Sequence, residues 1–286
     1  MTDIDLELGP VCEAVLTAST RITPANTDEV RHLVLHVSDP AFRYVEGQSI
    51  GVVVPGPHAF GNKFHMRRYS VANARQAAAE EGLDIELLVR RCFYVDEVSG
   101  ERYPGVASNF LCDMKPGERV SITGPYRSPF KMPADDSSNL LMIGTGTGIA
   151  PFRAFMQHVY QQRGGWRGKV RLFYGARTGM DMLYMNDENA DIASYYDQVT
   201  FRAFQGVAPR SHLGEDEGLA RTLADNVDEA WELVQEPNTH VFVAGLTKIA
   251  HALDRVMAAK AGSPERWQDL KKALVANNRW SELIYS

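Results

Sequence analysis

The segment LLMIGTGTGIAPFR, residues 140–153, constrains this chain more than any other stretch. An unbroken apolar run ends on glycines at 144, 146 and 148, and apolar residues then recur at helical spacing through PFRAFMQHVYQQR. That pattern calls for a buried strand turning tightly into a helix. The glycines do not follow the G-x-G-x-x-G spacing of the common dinucleotide fingerprint, and a lone glycine motif recurs by chance. Backbone N–H groups exposed at the helix start, with the positive end of the helix dipole, suit a pyrophosphate. Thr145 and Thr147 add hydroxyls, and Pro151 fits the first turn, where its missing N–H removes no bond. Close packing of helix on strand without a ligand explains the same glycines, so the loop alone leaves both readings open.

The texture differs on either side of PADDSSN, residues 133–139. Before it, CEAVLTAS, EVRHLVLHV, SIGVVVP, RRYSVAN, LDIELLVRR and GERVSITG are short, β-branched or alternating, and separated by turn residues such as Glu46-Gly47 and Pro116-Gly117. Many short strands closed by turns predict an antiparallel β-barrel. AAAEEG, residues 77–82, reads as a hairpin tip or a short helical turn. After residue 136, the apolar runs VRLFYGA, VTFRAF and HVFVAGL alternate with helical patterns, notably LARTLADNVDEAWELV and KIAHALDRVMAAKA. Parallel strands need such long crossovers, so this half predicts a doubly wound parallel-sheet α/β domain. The expected domains are residues 1–135 and 136–286.

The chain has 286 residues, enough for two ordinary domains, and a hydrophobic fraction of 44% is that of a globular protein. A formal net charge of −6 argues against nucleic-acid binding driven by overall charge. No long uncharged apolar run is present to span a bilayer. The opening MTDIDLELGP lacks the basic start and apolar centre of a signal peptide, which predicts a cytoplasmic protein. Cys12, Cys92 and Cys112 are too widely spaced for a zinc or iron-sulfur ligand set, so no metal is expected and the thiols read as buried and reduced.

The glycine loop stands in an ordered set of motifs: RRYS at 67–70, GVASNFL at 105–111, GTGTGIAPFR, FYGA at 173–176, VFVAGL at 241–246, and the closing RWSELIYS. In order and spacing this set resembles the ferredoxin-NADP reductase family of flavoproteins, most nearly its plant-type branch, from about residue 10 onward. The resemblance implies an FAD-binding barrel followed by a domain binding NADP, with NAD as the alternative. It assigns Arg67 to the FAD pyrophosphate, Tyr69 to one face of the flavin, and Ser70 to the vicinity of flavin N5, with Val71 and Arg90 beside them. Gly105, Val106, Ala107 and Ser108 become a second phosphate cradle, and Tyr94 stacks on the adenine. Gly144, Thr145, Gly146, Thr147 and Gly148 then receive the nicotinamide dinucleotide, with Arg153 assisting and Gly245-Leu246 closing the crevice. Tyr285, five residues after Trp280, matches the terminal tyrosine that covers the other flavin face, although Ser286 follows it here.

The chain departs from that pattern in places. Ala107 and Ala244 stand where plant-type members carry cysteine, and Leu283 stands where they carry glutamate; Glu282 is one place off, which in an extended segment reverses the side chain's direction. Gln205-Gly206 replaces the Ser-Arg pair that meets the 2'-phosphate of NADP, leaving Arg177, Arg202, Arg210 and Arg221 as candidate cations. The resemblance implies hydride exchange between NADP(H) and FAD, and single-electron exchange between FAD and a separate ferredoxin or flavodoxin. Lys63, Arg67, Arg68, Arg90, Arg91 and Lys131 are the expected basic rim for such an acidic carrier. The alternatives are the reductase component of an oxygenase system and a non-catalytic nucleotide-sensing flavoprotein.

Overall fold

The computed structural model describes residues 10–58, 62–76, 81–210 and 212–285. Most of the 77–82 segment lies outside the described residues. The chain divides into two compact units, Met1–Ser128 and Pro129–Ser286. Residues 129–135, expected with the first half, fall in the second unit because Phe130 is buried against Phe152, Phe155 and Phe242.

The strands, in chain order, are β1 Val11–Arg21, β2 Val30–Val37, β3 Ser49–Pro55, β4 Phe64–Ser70, β5 Leu83–Arg90, β6 Phe93–Val95, β7 Arg102–Pro104, β8 Arg119–Tyr126, β9 Asn139–Thr145, β10 Val170–Ala176, β11 Phe201–Val207, β12 Thr239–Leu246 and β13 Trp280–Tyr285. The helices are α1 Val106–Asp113, α2 Ile149–Met156, α3 Glu215–Asp225, α4 Val227–Gln235, α5 Lys248–Ala261 and α6 Pro264–Ala276.

In the first unit six strands form an antiparallel sheet in the order β4-β3-β8-β1-β2-β5. Alternation sets its two faces. Leu33, Leu35 and Val37 of β2 enter the core, while His32 and His36 point outward, 3.3 Å from Glu86 and 2.9 Å from Asp84 across the ladder to β5. The outer strands meet where Val71 bridges Leu87, with the Ala72 N–H donating to Glu86 O at 2.8 Å, so the sheet closes on itself as a barrel and hides its edges. Helix α1 adds Ala107, Leu111 and Cys112 to the barrel core.

In the second unit five parallel strands take the order β11-β10-β9-β12-β13. Every residue of β9 and β10 is buried, as a sheet covered on both faces requires. Leu141, Ile143, Val241 and Val243 pack against α3, α4, α5 and α6. Phe242, pointing to the other face, meets Phe130 and Phe155. Two expectations change here. The helical pattern over 219–234 is two helices, because Asn226 leaves helical geometry at φ −128°, ψ 28°. Helix α6 is an addition to the expected elements, started by Ser263 accepting from the Arg266 N–H and by Pro264 at the first position.

Candidate functional site

The strand order of the second unit reverses between β9 and β12, and the carboxyl ends of those two strands are the usual ligand crevice of an open α/β sheet. The glycine loop lies there. After Thr145 the chain makes a single 3-10 turn over Gly146–Gly148 and enters α2 at Ile149. Gly146 has φ +52°, a left-handed conformation that favours glycine, and its carbonyl is braced by the buried Tyr174 hydroxyl at 2.8 Å. A Cβ at Gly148 would sit 2.3 Å from Ala244 O, and one at Gly144 would sit 2.9 Å from the same oxygen. Two of the three glycines therefore let α2 press onto the end of β12. Packing and ligand binding are not exclusive here, because Thr145 is 1% exposed and its hydroxyl has no hydrogen-bond partner. A buried polar group in that state costs about 1–3 kcal/mol, so an unfilled donor and acceptor sits at the mouth of the helix. Gly245, at φ +150°, keeps the space beside it clear: a Cβ there would lie 2.8 Å from Thr145 Oγ1. Thr147 is half-buried and Leu246 is 43% exposed at the same edge.

The arginines fare differently from expectation. Arg153 is buried in an ion pair with Asp191 and lies 5.0 Å over the Tyr184 ring, so its guanidinium is committed to α2's neighbours. Arg202 opens β11, at the end away from the crevice, and pairs with Glu229 at 2.9 Å. Arg221 approaches Asp225 at 3.9 Å. Arg177 directly follows β10 at the carboxyl edge, 3.5 Å from Asp181, and Arg210 follows β11 there, exposed. An arginine at position 206 would collide with α3, since a Cβ on Gly206 would lie 2.1 Å from Gly218 O. Gly175 is equally confined, 2.4 Å from Leu219 N. This close helix contact, invisible along the chain, explains why Gly206 stands where the plant-type pattern has arginine.

Tyr285 ends β13 in register with Leu246, and Leu283 is in register with Ala244. Glu282 turns to the opposite side, where its carboxylate meets Trp280 Nε1 and Lys271 Nζ. It does not stand in for the glutamate expected at 283.

In the first unit Arg67, Tyr69 and Ser70 close β4, and Val71 is wholly buried in the barrel. Tyr69 packs on the core, and burial pushes its phenol well above the ordinary range, so it stays neutral. Arg67 is exposed and Ser70 half-buried, while Arg90, ending β5, is half-buried. Tyr94 is 58% exposed, its ring stacked on Tyr103 at 5.4 Å in the β6–β7 hairpin. Gly105 precedes α1, whose first-turn amides, including those of Val106, Ala107 and Ser108, have no intrahelical acceptor. Ala107's side chain is core, which leaves only its amide for a ligand. Ser108 is buried with its hydroxyl already engaged, accepting from Cys92 N at 3.1 Å and donating to Gly105 O at 3.3 Å. Of the expected rim, Arg68 covers the Tyr126 ring at 3.8 Å, Arg91 is held by Glu29 and Asp113, and Lys131 belongs to the second unit. Burial drives the Cys12 and Cys112 thiols up to about 11, whereas Cys92 is exposed, contrary to the expectation of three buried thiols. Among the described residues no group of three or more His, Cys, Asp or Glu could hold a metal, and no helix is long and apolar enough to cross a membrane.

A closed barrel with a glycine-led helix start, and a doubly wound sheet with a glycine loop at its switch point, are the build of a dinucleotide-dependent oxidoreductase. Residues 142–255 match the family model described as the oxidoreductase NAD-binding domain. The chain is 32% identical over 295 residues to a ferredoxin--NADP reductase of Spirulina sp, covering 99% of each. It is 35% identical over 276 residues to the leaf isozyme 2 chloroplastic ferredoxin--NADP reductase of Oryza sativa subsp. indica, covering 93% of this chain and 74% of that protein. This chain belongs to the ferredoxin-NADP reductase family. Its fold matches that of the ferredoxin-NADP+ reductase from Plasmodium falciparum with a TM-score of 0.71 at 17% identity, over 96% of both chains.

Proposed function

We propose that this protein is an FAD-dependent oxidoreductase that exchanges hydride between NADP(H) and FAD and single electrons between FAD and a separate ferredoxin or flavodoxin. The observation that carries the reading is the buried Thr145 hydroxyl without a partner, set beside Gly245 at the start of α2. With the first-turn amides it forms a donor set suited to a pyrophosphate. The other cradle fits FAD on similar grounds: α1 begins at Gly105 with free first-turn amides, Arg67 is exposed, and Tyr94 offers an open ring face.

When bound, the two dinucleotides supply the hydride and electron chemistry. The chain's own residues bind and align. Arg67 neutralises a diphosphate with its fork of donors, and the α1 amides share that charge. Tyr69 would offer the flat face of a neutral phenol to bound flavin, and Ser70 would offer it a hydroxyl. Ser108 braces the Cys92–Gly105 turn so that the cradle is rigid before it is filled. Gly144 and Gly148 bring α2 onto β12, and Thr145 and Thr147 line the crevice that this creates. Tyr285 would serve as the ring that shields bound flavin and would have to move aside for nicotinamide.

Arg177 and Arg210, at the carboxyl edge of β10 and β11, support NADP over NAD. Lys63, Arg67 and Arg68 are exposed on and beside β4 and supply the basic rim for an acidic carrier. A second reading, the reductase of an oxygenase system, is favoured by Ala244 and Leu283, which replace residues that the plant-type pattern carries near the nicotinamide. Steady-state reduction of ferredoxin, of flavodoxin and of an oxygenase iron-sulfur component decides between them. The reading expects NADPH-dependent ferredoxin reduction that falls steeply with salt. Turnover with the oxygenase component alone would favour the second reading.

A further inference from the structure

We propose that Lys271 is a positioning residue: gripped between Asp254 of α5 and Glu282 of β13, it fixes the last strand and so sets how readily Tyr285 moves. This rests on the covering role proposed for Tyr285. Strand β13 is the edge of its sheet and pairs on one side only, with β12. A six-residue edge strand held by one ladder opens more easily than the strands inside the sheet. Side chains hold it from both faces: on one, Ser281 Oγ donates to Pro129 O at 3.0 Å; on the other sits a cluster centred on Lys271. Lys271 Nζ lies 3.0 Å from Glu282 Oε1 and 3.2 Å from Asp254 Oδ1, and 4.9 Å over the Trp280 ring. Trp280 Nε1 donates to the same Glu282 oxygen at 2.6 Å, and Trp267 Nε1 donates to Asp254 Oδ1 at 2.7 Å. The two indoles pack edge to face at 5.7 Å, Trp267 fully buried, so the grip is mounted on the core of the second unit.

Past Glu282, Ile284 packs against the core of the second unit. Beyond it, the carbonyl of Tyr285 accepts from the N–H and hydroxyl of Thr247, both at a long 3.3 Å. Lys271 is largely shielded, its side chain 16% exposed, so the pair acts less screened than a surface ion pair. Loosening Glu282 therefore weakens the ladder that pairs Leu283–Tyr285 with Ala244–Leu246, and a covering ring on a looser strand yields to nicotinamide at lower cost.

The test compares FAD-loaded wild type with Lys271→Met, Glu282→Leu, the milder Glu282→Gln, the double variant Lys271→Met/Glu282→Leu, and Tyr285→Ala. Amide exchange of residues 280–285 should rise about tenfold in the leucine and methionine variants, and less in Glu282→Gln, which keeps an acceptor for Trp280. The dissociation constant for oxidised NADP should fall about fivefold in each single variant, and no further in the double variant, because the two residues act as one unit. Faster exchange with unchanged NADP affinity would overturn the proposal, and so would additive shifts in the double variant. Tyr285→Ala separates the layers: if it leaves NADP affinity unchanged, the covering role itself fails.

Discussion

The two glycine-marked helix starts look alike along the chain and differ in what makes them glycine. At Gly148 the demand is backbone against backbone: a methyl group there would stand 2.3 Å from Ala244 O, which neither strand nor helix can give up. At Gly105 a methyl group would meet the Ser108 hydroxyl at 3.0 Å and Cys92 O at 3.3 Å, a crowding that a side chain can relieve. Both residues already sit at negative φ, −61° and −64°, so alanine carries no backbone penalty at either. The hydroxyls differ in the opposite sense. Ser108 is spent on bracing its own turn, while Thr145 is buried with no partner. In the second unit packing fixes the glycines and leaves a side chain for the ligand; in the first, a side chain fixes the turn and backbone amides are left.

The largest effect should come from Gly148→Ala, which we expect to lower the stability of the second unit by about 3 kcal/mol and to abolish dinucleotide binding, measured by denaturant unfolding and titration. A well-folded Gly148→Ala protein that binds normally would break the contrast. Thr145→Val should weaken NADP binding about tenfold while stability stays level or rises by roughly 1 kcal/mol, since an unpaired buried hydroxyl is removed with its shape kept. Gly105→Ala should cost less than about 1 kcal/mol and raise the FAD dissociation constant less than about fivefold.

Acid acts on both units in the same direction. Burial first, then His58 and Arg67, hold the His65 pKa below 6.5, and burial with Arg279 does the same for His240. In each case the unfolded chain binds the proton more readily, so their contribution is present above pH 6.5 and is lost as pH falls through the lowered folded values. His240→Asn should flatten the stability–pH curve below pH 6.5 in unfolding titrations. The smallest effect is chemical: a thiol reagent at neutral pH should label Cys92 alone in the native protein, because burial keeps Cys12 and Cys112 protonated.

Local pattern made the barrel strands, the strand-loop-helix at 140–153 and the strand-helix alternation of the parallel-sheet half legible, because alternation, apolar runs and glycine turns each act over a few residues. What could not be read depends on partners distant in sequence. Arg153 is committed to Asp191, Arg202 to Glu229, and Gly206 to Gly218, and none of those pairings has a spacing signature. Ser263-Pro264 carries a legible start signal for α6, whereas the break at Asn226 lies inside a continuous helical pattern. At the site, the motifs marked both glycine turns, but only the hydrogen-bond partners in the fold distinguish the spent hydroxyl of Ser108 from the open one of Thr145, both residues being buried.

Anaerobic titration of the purified protein with NADPH, followed by its visible absorption, tests the central claim most directly. The account expects a yellow protein carrying one FAD per chain whose flavin band bleaches stoichiometrically on NADPH addition. A colourless protein that takes up no FAD, or one that binds NADPH while the flavin band stays intact, would contradict it.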